Sequence, residues 1–335
     1  MPHPAITAWV LKAEKRFVRY RTMLLHIVHE TCYSYRPAVE NAHHVVHLKP
    51  PSNARQKLLR YKLAISPTPA QFRECPDVYD NHQAFFSFKA SHDDLIVMAD
   101  SIVSTTPVKP AAIDESDTPQ AWEQVREQFR YRAGAVYDRA SDFLYPSPYV
   151  PRDDEFVQFA QQVFVSGKPL HVAAHELMTL IYTTMAYESA STEVNTPALD
   201  ALRQGKGVCQ DFAHIMVACC RNMGLPARYV SGYMLTQPPP GKPRLVGCDA
   251  SHAWASVYCP HLGCWLDFDP TNNRVPDVDY VTLATGRDFL DVSPLRGVIR
   301  GGARHDLKVS VTVEPALNEV LDEALNFQES GSDAA

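Results

Sequence analysis

Cys209 is the residue in this chain best placed to do chemistry. It follows Gly205-Lys206-Gly207-Val208, and the apolar residues Phe212, Met216, Cys219 and Met223 after it fall at helical spacing. That stripe predicts a helix over 207–223, closed by Gly224 and Pro226. A sulfur in the first turn of a helix sits at the positive end of the macrodipole, where the thiolate, the reactive form, is favoured. The unpaired N–H groups of that turn are ready donors for an oxyanion formed when a thiolate attacks a carbonyl. The glycines before it allow a substrate backbone to come close.

A nucleophilic thiol needs a base, and the base needs an orienting acceptor. His252 opens the strand-like run His252-Ala253-Trp254-Ala255-Ser256-Val257-Tyr258, and Asp269 ends Trp265-Leu266-Asp267-Phe268-Asp269. If the two runs pair as a hairpin, His252 and Asp269 lie side by side, with the Cys209 helix packed across the sheet. Asp267 competes for the third role, since strand alternation puts it on the same face as Asp269. Taken singly, each residue has an ordinary explanation. A cysteine in a first turn is usually an inert small side chain. A histidine at a strand start is usually a surface or core residue, and an aspartate before proline a turn former. In the order Cys, His, Asp, with the local elements right, they read as nucleophile, base and orienting carboxylate. Beyond the Cys209 N–H, Tyr187 and Asn195 are the side chains considered as oxyanion donors, with ordinary readings as a core and a turn residue.

The stretch Gly207-Val208-Cys209-Gln210-Asp211-Phe212-Ala213-His214, continuing through Cys220-Arg221-Asn222-Met223-Gly224-Leu225-Pro226-Ala227-Arg228-Tyr229, resembles the transglutaminase-like core. So do Ser251-His252-Ala253-Trp254-Ala255 and Phe268-Asp269-Pro270-Thr271-Asn272. The likeness covers roughly residues 120–275. Leu25-His26-Ile27-Val28-His29-Glu30-Thr31-Cys32-Tyr33-Ser34-Tyr35 is similar to the opening strand of the N-terminal domain of bacterial members, and Arg296–Gly302 to their closing segment. The resemblance implies a papain-like superfamily fold with Cys209 as nucleophile, His252 as base and then acid, and Asp269 as orienting carboxylate. It prefers Asp269 over Asp267, because the family's aspartate directly precedes the residue–Thr step. The implied reaction is acyl transfer from an amide or peptide bond through a thioester, ending in hydrolysis (protease or amidase) or transamidation. The implied substrate is a protein or peptide. No cofactor or metal is expected, and no loop with calcium-ligand spacing is found.

Two other readings use the same residues. A zinc site could draw on Cys248, His252, Cys259, His261 and Cys264, although the usual knuckle spacing is missing. A non-catalytic peptide- or protein-binding module could retain the triad as a relic.

The elements around these residues predict an α+β protein. Residues 23–107 read as short strands (24–35, 42–48, 58–65, 83–88 and 95–104) separated by Pro/Asn/Asp clusters, an antiparallel β-sandwich-like domain. Residues 108–118 form a linker. Residues 119–313 form the catalytic domain, helices packed on an antiparallel sheet: helices at 121–130, 153–165, 170–187, 197–204 and 207–223, then strands at 227–235, 252–259 and 265–268, and a closing strand at 304–313. Thr196 would cap the fourth helix with Pro197 in its first turn. Pro238-Pro239-Pro240-Gly241 reads as a loop, and His43, His44 and His47 as surface residues. Residues 1–22, basic apart from Glu14, read as a disordered extension, and 314–335, with six acids and no Lys or Arg, as an acidic tail.

At 335 residues, 45% hydrophobic and 21% charged, the composition is that of a globular protein. The net charge of −6 argues against nucleic acid as a partner, and no apolar run has the length of a membrane helix. Eight cysteines without framework spacing and without a secretion signal read as free thiols in a cytoplasmic protein.

Overall fold

The computed structural model describes residues 22–107, 119–188, 196–236 and 251–316. The expectations for nearly all of the N-terminal extension, the linker 108–118, Asn195, the proline loop, Cys248 and the tail beyond 316 lie outside the described residues.

The architecture is α+β, with two antiparallel sheets. The first is organised by one long strand, β1 (Met23–Val46). Along its first half it pairs on one side with β5 (His92–Thr105), which carries β2 (Gln56–Ser66), and on the other with β13 (Arg304–Pro315). Along its second half it pairs with β4 (His82–Phe88), which carries β3 (Gln71–Pro76), and with β12 (Leu295–Gly301). The partners change around Pro37, where the register with β5 also shifts. A proline has no N–H to give a ladder and is tolerated at such an irregularity. The two segments expected as separate strands at 24–35 and 42–48 are therefore one strand. Leu25 and Ile27 from its first half and Val39, Ala42 and Val46 from its second bury into a single core with Phe86, Leu95, Val97 and Val103. The edge strand β3 is exposed nearly throughout, which is why its sequence carries no strand signal. Residues 304–313, expected as a closing strand of the catalytic unit, belong to β13 and pair with β1. His43 is exposed as expected, but His44 and His47 are buried. His44 stacks on Phe86 at 5.1 Å, and burial pushes its pKa down to about 4.

The second sheet has the order β10-β9-β8-β11, formed by β8 (Ala227–Met234), β9 (His252–Cys259), β10 (Cys264–Phe268) and β11 (Tyr280–Gly286). Before it come α1 (Trp122–Gln128), α2 (Asp154–Ala160), α3 (Leu170–Thr184), α4 (Ala198–Gln204) and α5 (Cys209–Asn222). α2 stops five residues short of the expected end. α3 ends at Thr184 rather than 187, because Ala186–Tyr187 form a short strand, β6, parallel to β7 (Lys206–Gly207). Pro197 itself, rather than Thr196, is the N-cap of α4, and Gly205 ends the helix in the left-handed region at φ 65°. α5 packs centrally against both the other helices and one face of the sheet, where Phe212, Ile215, Met216 and Cys219 are buried with Ala227, Ala255 and Val257.

The two sheets are joined by polar side chains that imitate a strand. Gln56 donates from Nε2 to the Thr282 carbonyl and accepts the Thr282 N–H at Oε1, both at 2.8 Å. Asn81 makes the same pair with Thr285, again at 2.8 Å. Each amide satisfies both backbone groups of a residue on the open edge of β11, which would otherwise be costly in a buried contact. His29, buried in the first sheet, shares a 2.9 Å hydrogen bond with the Tyr233 hydroxyl of the second.

Candidate active site

Cys209 is the first residue of α5, as its sequence context predicts, although the helix starts two residues later than expected. The turn before it is fixed by Asp211, whose carboxylate accepts the Val208 N–H at 2.8 Å. Asp211 is buried beside Gly207. A Cβ on Gly207 would stand 2.7 Å from Asp211 Oδ2, so only glycine fits there without moving the cap. The Cys209 thiol is half-buried, and its N–H belongs to the first turn, which has no acceptor within the helix.

His252 opens β9 and Asp269 lies just beyond β10. The two strands pair antiparallel with Phe268 opposite Ala255, so the start of one and the end of the other meet. His252 Nε2 and Asp269 Oδ2 are 2.7 Å apart. Cys209 also acts on the imidazole, through a side-chain hydrogen bond and its charge. Burial alone would lower the His252 pKa. The hydrogen bonds and negative charge of Asp269 and Cys209 outweigh it and push the pKa up to about 10. Burial likewise works against an ionised Asp269, but its hydrogen bonds hold the carboxyl below the usual range.

Those bonds are numerous. Besides His252, Oδ2 accepts the Tyr280 hydroxyl at 2.8 Å and Asn272 Nδ2 at 2.7 Å. Oδ1 accepts the backbone N–H groups of Thr271 at 2.9 Å and Asn272 at 3.3 Å. A fully buried carboxylate with five donors is the arrangement that keeps a charge stable away from water. Asp267, the rival, points elsewhere: its Oδ2 pairs with Arg55 at 2.8 Å. Tyr187 lies close enough to Cys209 that the sulfur's charge adds to burial in raising the phenol pKa. Tyr280 and Asn272 are the site residues that sequence reading missed. Asn272 stands in the sequence only as the end of the Phe268–Asn272 motif, and nothing around Tyr280 marks it.

Of the zinc set, Cys248 lies outside the described residues and His252 is committed to Asp269. Cys259 and Cys264 face each other across the β9–β10 hairpin, with His261 Nδ1 3.3 Å from the Cys259 sulfur. Among the described residues no three such side chains converge to hold a metal.

Comparison with known proteins agrees with this organisation. Residues 25–104 match the bacterial transglutaminase-like N-terminal region, and residues 157–270 match the transglutaminase-like superfamily. The chain is 36% identical over 307 residues to an uncharacterized protein of Mycobacterium tuberculosis, covering 90% of this chain and 95% of that one. It is 38% identical over 72 residues to a protein-glutamine gamma-glutamyltransferase of Pseudomonas aeruginosa, covering 21% of this chain and 11% of that enzyme. Its fold is that of a crystal structure described as a candidate cysteine protease from Cytophaga hutchinsonii, with a TM-score of 0.68 at 21% identity, covering 89% of this chain and 92% of that one. The chain belongs to the transglutaminase-like superfamily, with a bacterial transglutaminase-like N-terminal region ahead of the core.

Proposed function

We propose that this protein is a thiol acyl-transfer enzyme acting on amide or peptide bonds of a protein or peptide substrate. The observation that carries the reading is the 2.7 Å His252–Asp269 contact beside a thiol in the first turn of α5. Asp269 holds the imidazole in one orientation and favours its protonated form, so the proton of the Cys209 thiol passes to His252. The thiolate sulfur attacks the carbonyl carbon, and the oxygen takes up negative charge against the Cys209 N–H. His252 returns the proton to the departing nitrogen as the C–N bond breaks, leaving a thioester and a free amine. In the second half, His252 takes a proton from the incoming nucleophile, which adds to the thioester, and the sulfur leaves. Water gives hydrolysis and an amine gives transamidation. Water is the favoured acceptor here, because the thiol is only half-buried. The described cysteines are all free thiols, which fits a reducing compartment such as the cytoplasm. No helix among the described residues is long and apolar enough to cross a membrane.

The test is iodoacetamide labelling across pH, read by peptide mass spectrometry, in wild type and His252→Ala. Cys209 is expected to label ahead of the other cysteines near neutral pH, and to lose that advantage in the variant. Equal labelling of all accessible thiols would refute the reading. Casein with and without a fluorescent primary amine then separates peptide release from amine incorporation.

A further inference from the structure

The face of the second sheet turned away from α5 borders a cavity of about 400 Å³ between the two sheets. Strand alternation sends Arg228 and Val230 of β8, Trp254 of β9, Trp265 and Asp267 of β10, and Tyr280 of β11 to this side. Three hydrogen-bond donors on this face are buried and have no acceptor: Arg228 Nε, Trp254 Nε1 and Ser256 Oγ. Trp254 and Ser256 are 1% and 0% exposed. They are neighbours, since Arg228 pairs with Ser256 across the β8–β9 ladder and Trp254 is two residues along the same strand. Orphaned buried donors are rare in native proteins, and two of the three side chains, Arg228 and Trp254, line the cavity.

The charges around the cavity narrow what that acceptor is. Asp267 is taken by Arg55 at 2.8 Å, and Asp80 by Arg139 at 2.8 Å. Asp277, also at the wall, has a partner of its own. Arg228 has no ion pair among the described residues. It stacks on Trp265, with its guanidinium 4.2 Å from the ring centre. Burial lowers its pKa to about 10 against the opposing pull of Asp267, which leaves it charged at neutral pH. One uncommitted positive charge with acids nearby suits a singly charged ligand better than a phosphate dianion. Four aromatic side chains, Tyr79, Trp254, Trp265 and Tyr280, stand among the other walls.

We propose that this cavity is a binding site for a small monocarboxylate with an apolar or aromatic body, its carboxylate seated on Arg228 beside Trp254. The site is distinct from Cys209, and the proposal stands whether or not the thiol is catalytic. The ligand would touch the ring of Tyr280, whose hydroxyl holds Asp269, so occupancy and the Cys209 site are physically adjacent.

The test is tryptophan-fluorescence titration with N-acetylphenylalanine and 3-phenylpropionate, using the Cys209→Ala variant so that reaction at Cys209 does not contribute. N-acetylphenylalaninamide and inorganic phosphate are the controls. The acids are expected to bind about tenfold or more tighter than the amide, as a charge-assisted contact requires. Arg228→Gln should remove that preference. Trp254→Phe, which keeps an aromatic ring and deletes one donor, should weaken the acids by about three- to tenfold. This variant keeps the test valid if Arg228→Gln does not fold. Equal affinity for acid and amide, unchanged affinity in Trp254→Phe, or tighter binding of phosphate would each overturn the proposal. So would a crystal grown with the acids that shows only water at Arg228 and Trp254.

Discussion

Tyr280→Phe is the sharpest probe of how the candidate triad is held. The substitution deletes one oxygen and leaves the ring, which packs edge-to-face on Trp254 at 5.5 Å and lies under the Arg274 guanidinium at 5.1 Å. Asp269 keeps four donors and loses the 2.8 Å hydroxyl. A hydrogen bond to a buried charge contributes about 1.5–3 kcal/mol, so the carboxylate is destabilised by about that amount relative to its protonated form. Asp269 is held below its ordinary pKa, so its contribution to stability is present above the unfolded value of 3.8 and is lost as pH falls through the folded value. In Tyr280→Phe that loss begins at higher pH, and the acid limb of Cys209 reactivity moves up with it. At neutral pH the imidazole is less firmly oriented. Alkylation and turnover should fall by about ten- to a hundredfold, with the loss in kcat and little change in KM, because Tyr280 hydrogen-bonds Asp269 and not the thiol. The assay is the rate of Cys209 carboxamidomethylation against pH in both proteins, with circular dichroism to confirm the fold. An identical pH profile in wild type and variant would show that the hydroxyl merely satisfies a buried carboxylate. The account of Tyr280 as a positioning residue would then fail.

The other expectations are simpler. His252 is raised from 6.5 to about 10, so the stability it brings is fully present below 6.5 and is lost as pH rises through about 10. Urea midpoints should fall over that window in wild type and stay flatter in His252→Ala, and a flat wild-type curve would contradict the charge assignment. Gly207→Ala forces a Cβ to 2.7 Å from Asp211 Oδ2. It should cost about 1–3 kcal/mol and slow Cys209 labelling at unchanged overall helix content, whereas a variant that labels at the wild-type rate would show the cap to be irrelevant to the sulfur. Gln56→Ala removes both bonds to Thr282 and leaves that buried edge unpaired. A loss of about 2–4 kcal/mol in chemical denaturation is expected, and a change within about 0.5 kcal/mol, the range of an ordinary surface substitution, would rule out the strand-mimic role.

What could be read from the sequence follows from how local each residue's setting is. Cys209 announces a helix start through the glycines before it and the apolar stripe after it. His252 opens a strand whose limits, 252–259, agree with the structure. Asp269 closes the next one, and the hairpin between them is short enough that adjacency follows from the chain itself. Tyr280 reaches Asp269 from β11, on the opposite edge of the sheet from β10, and that pairing is set by tertiary packing. The strand gives little alternation to read, because it is buried on both faces. Gln56 and Asn81 look like ordinary turn-region amides until the edge of β11 is placed beside them. The same reasoning explains β1: Pro37 reads as a break in isolation, but each half of the strand finds two partners, and the ladders on both sides carry it through. Local chemistry thus marks where a candidate nucleophile, a candidate base and a candidate orienting carboxylate begin and end their elements. The donors that keep Asp269 charged in the interior come partly from its own turn, through Thr271 and Asn272, and partly from a strand that only the completed fold brings near. Exchange of Tyr280 therefore tests a contribution of the whole sheet, whereas exchange of Asn272 tests the turn.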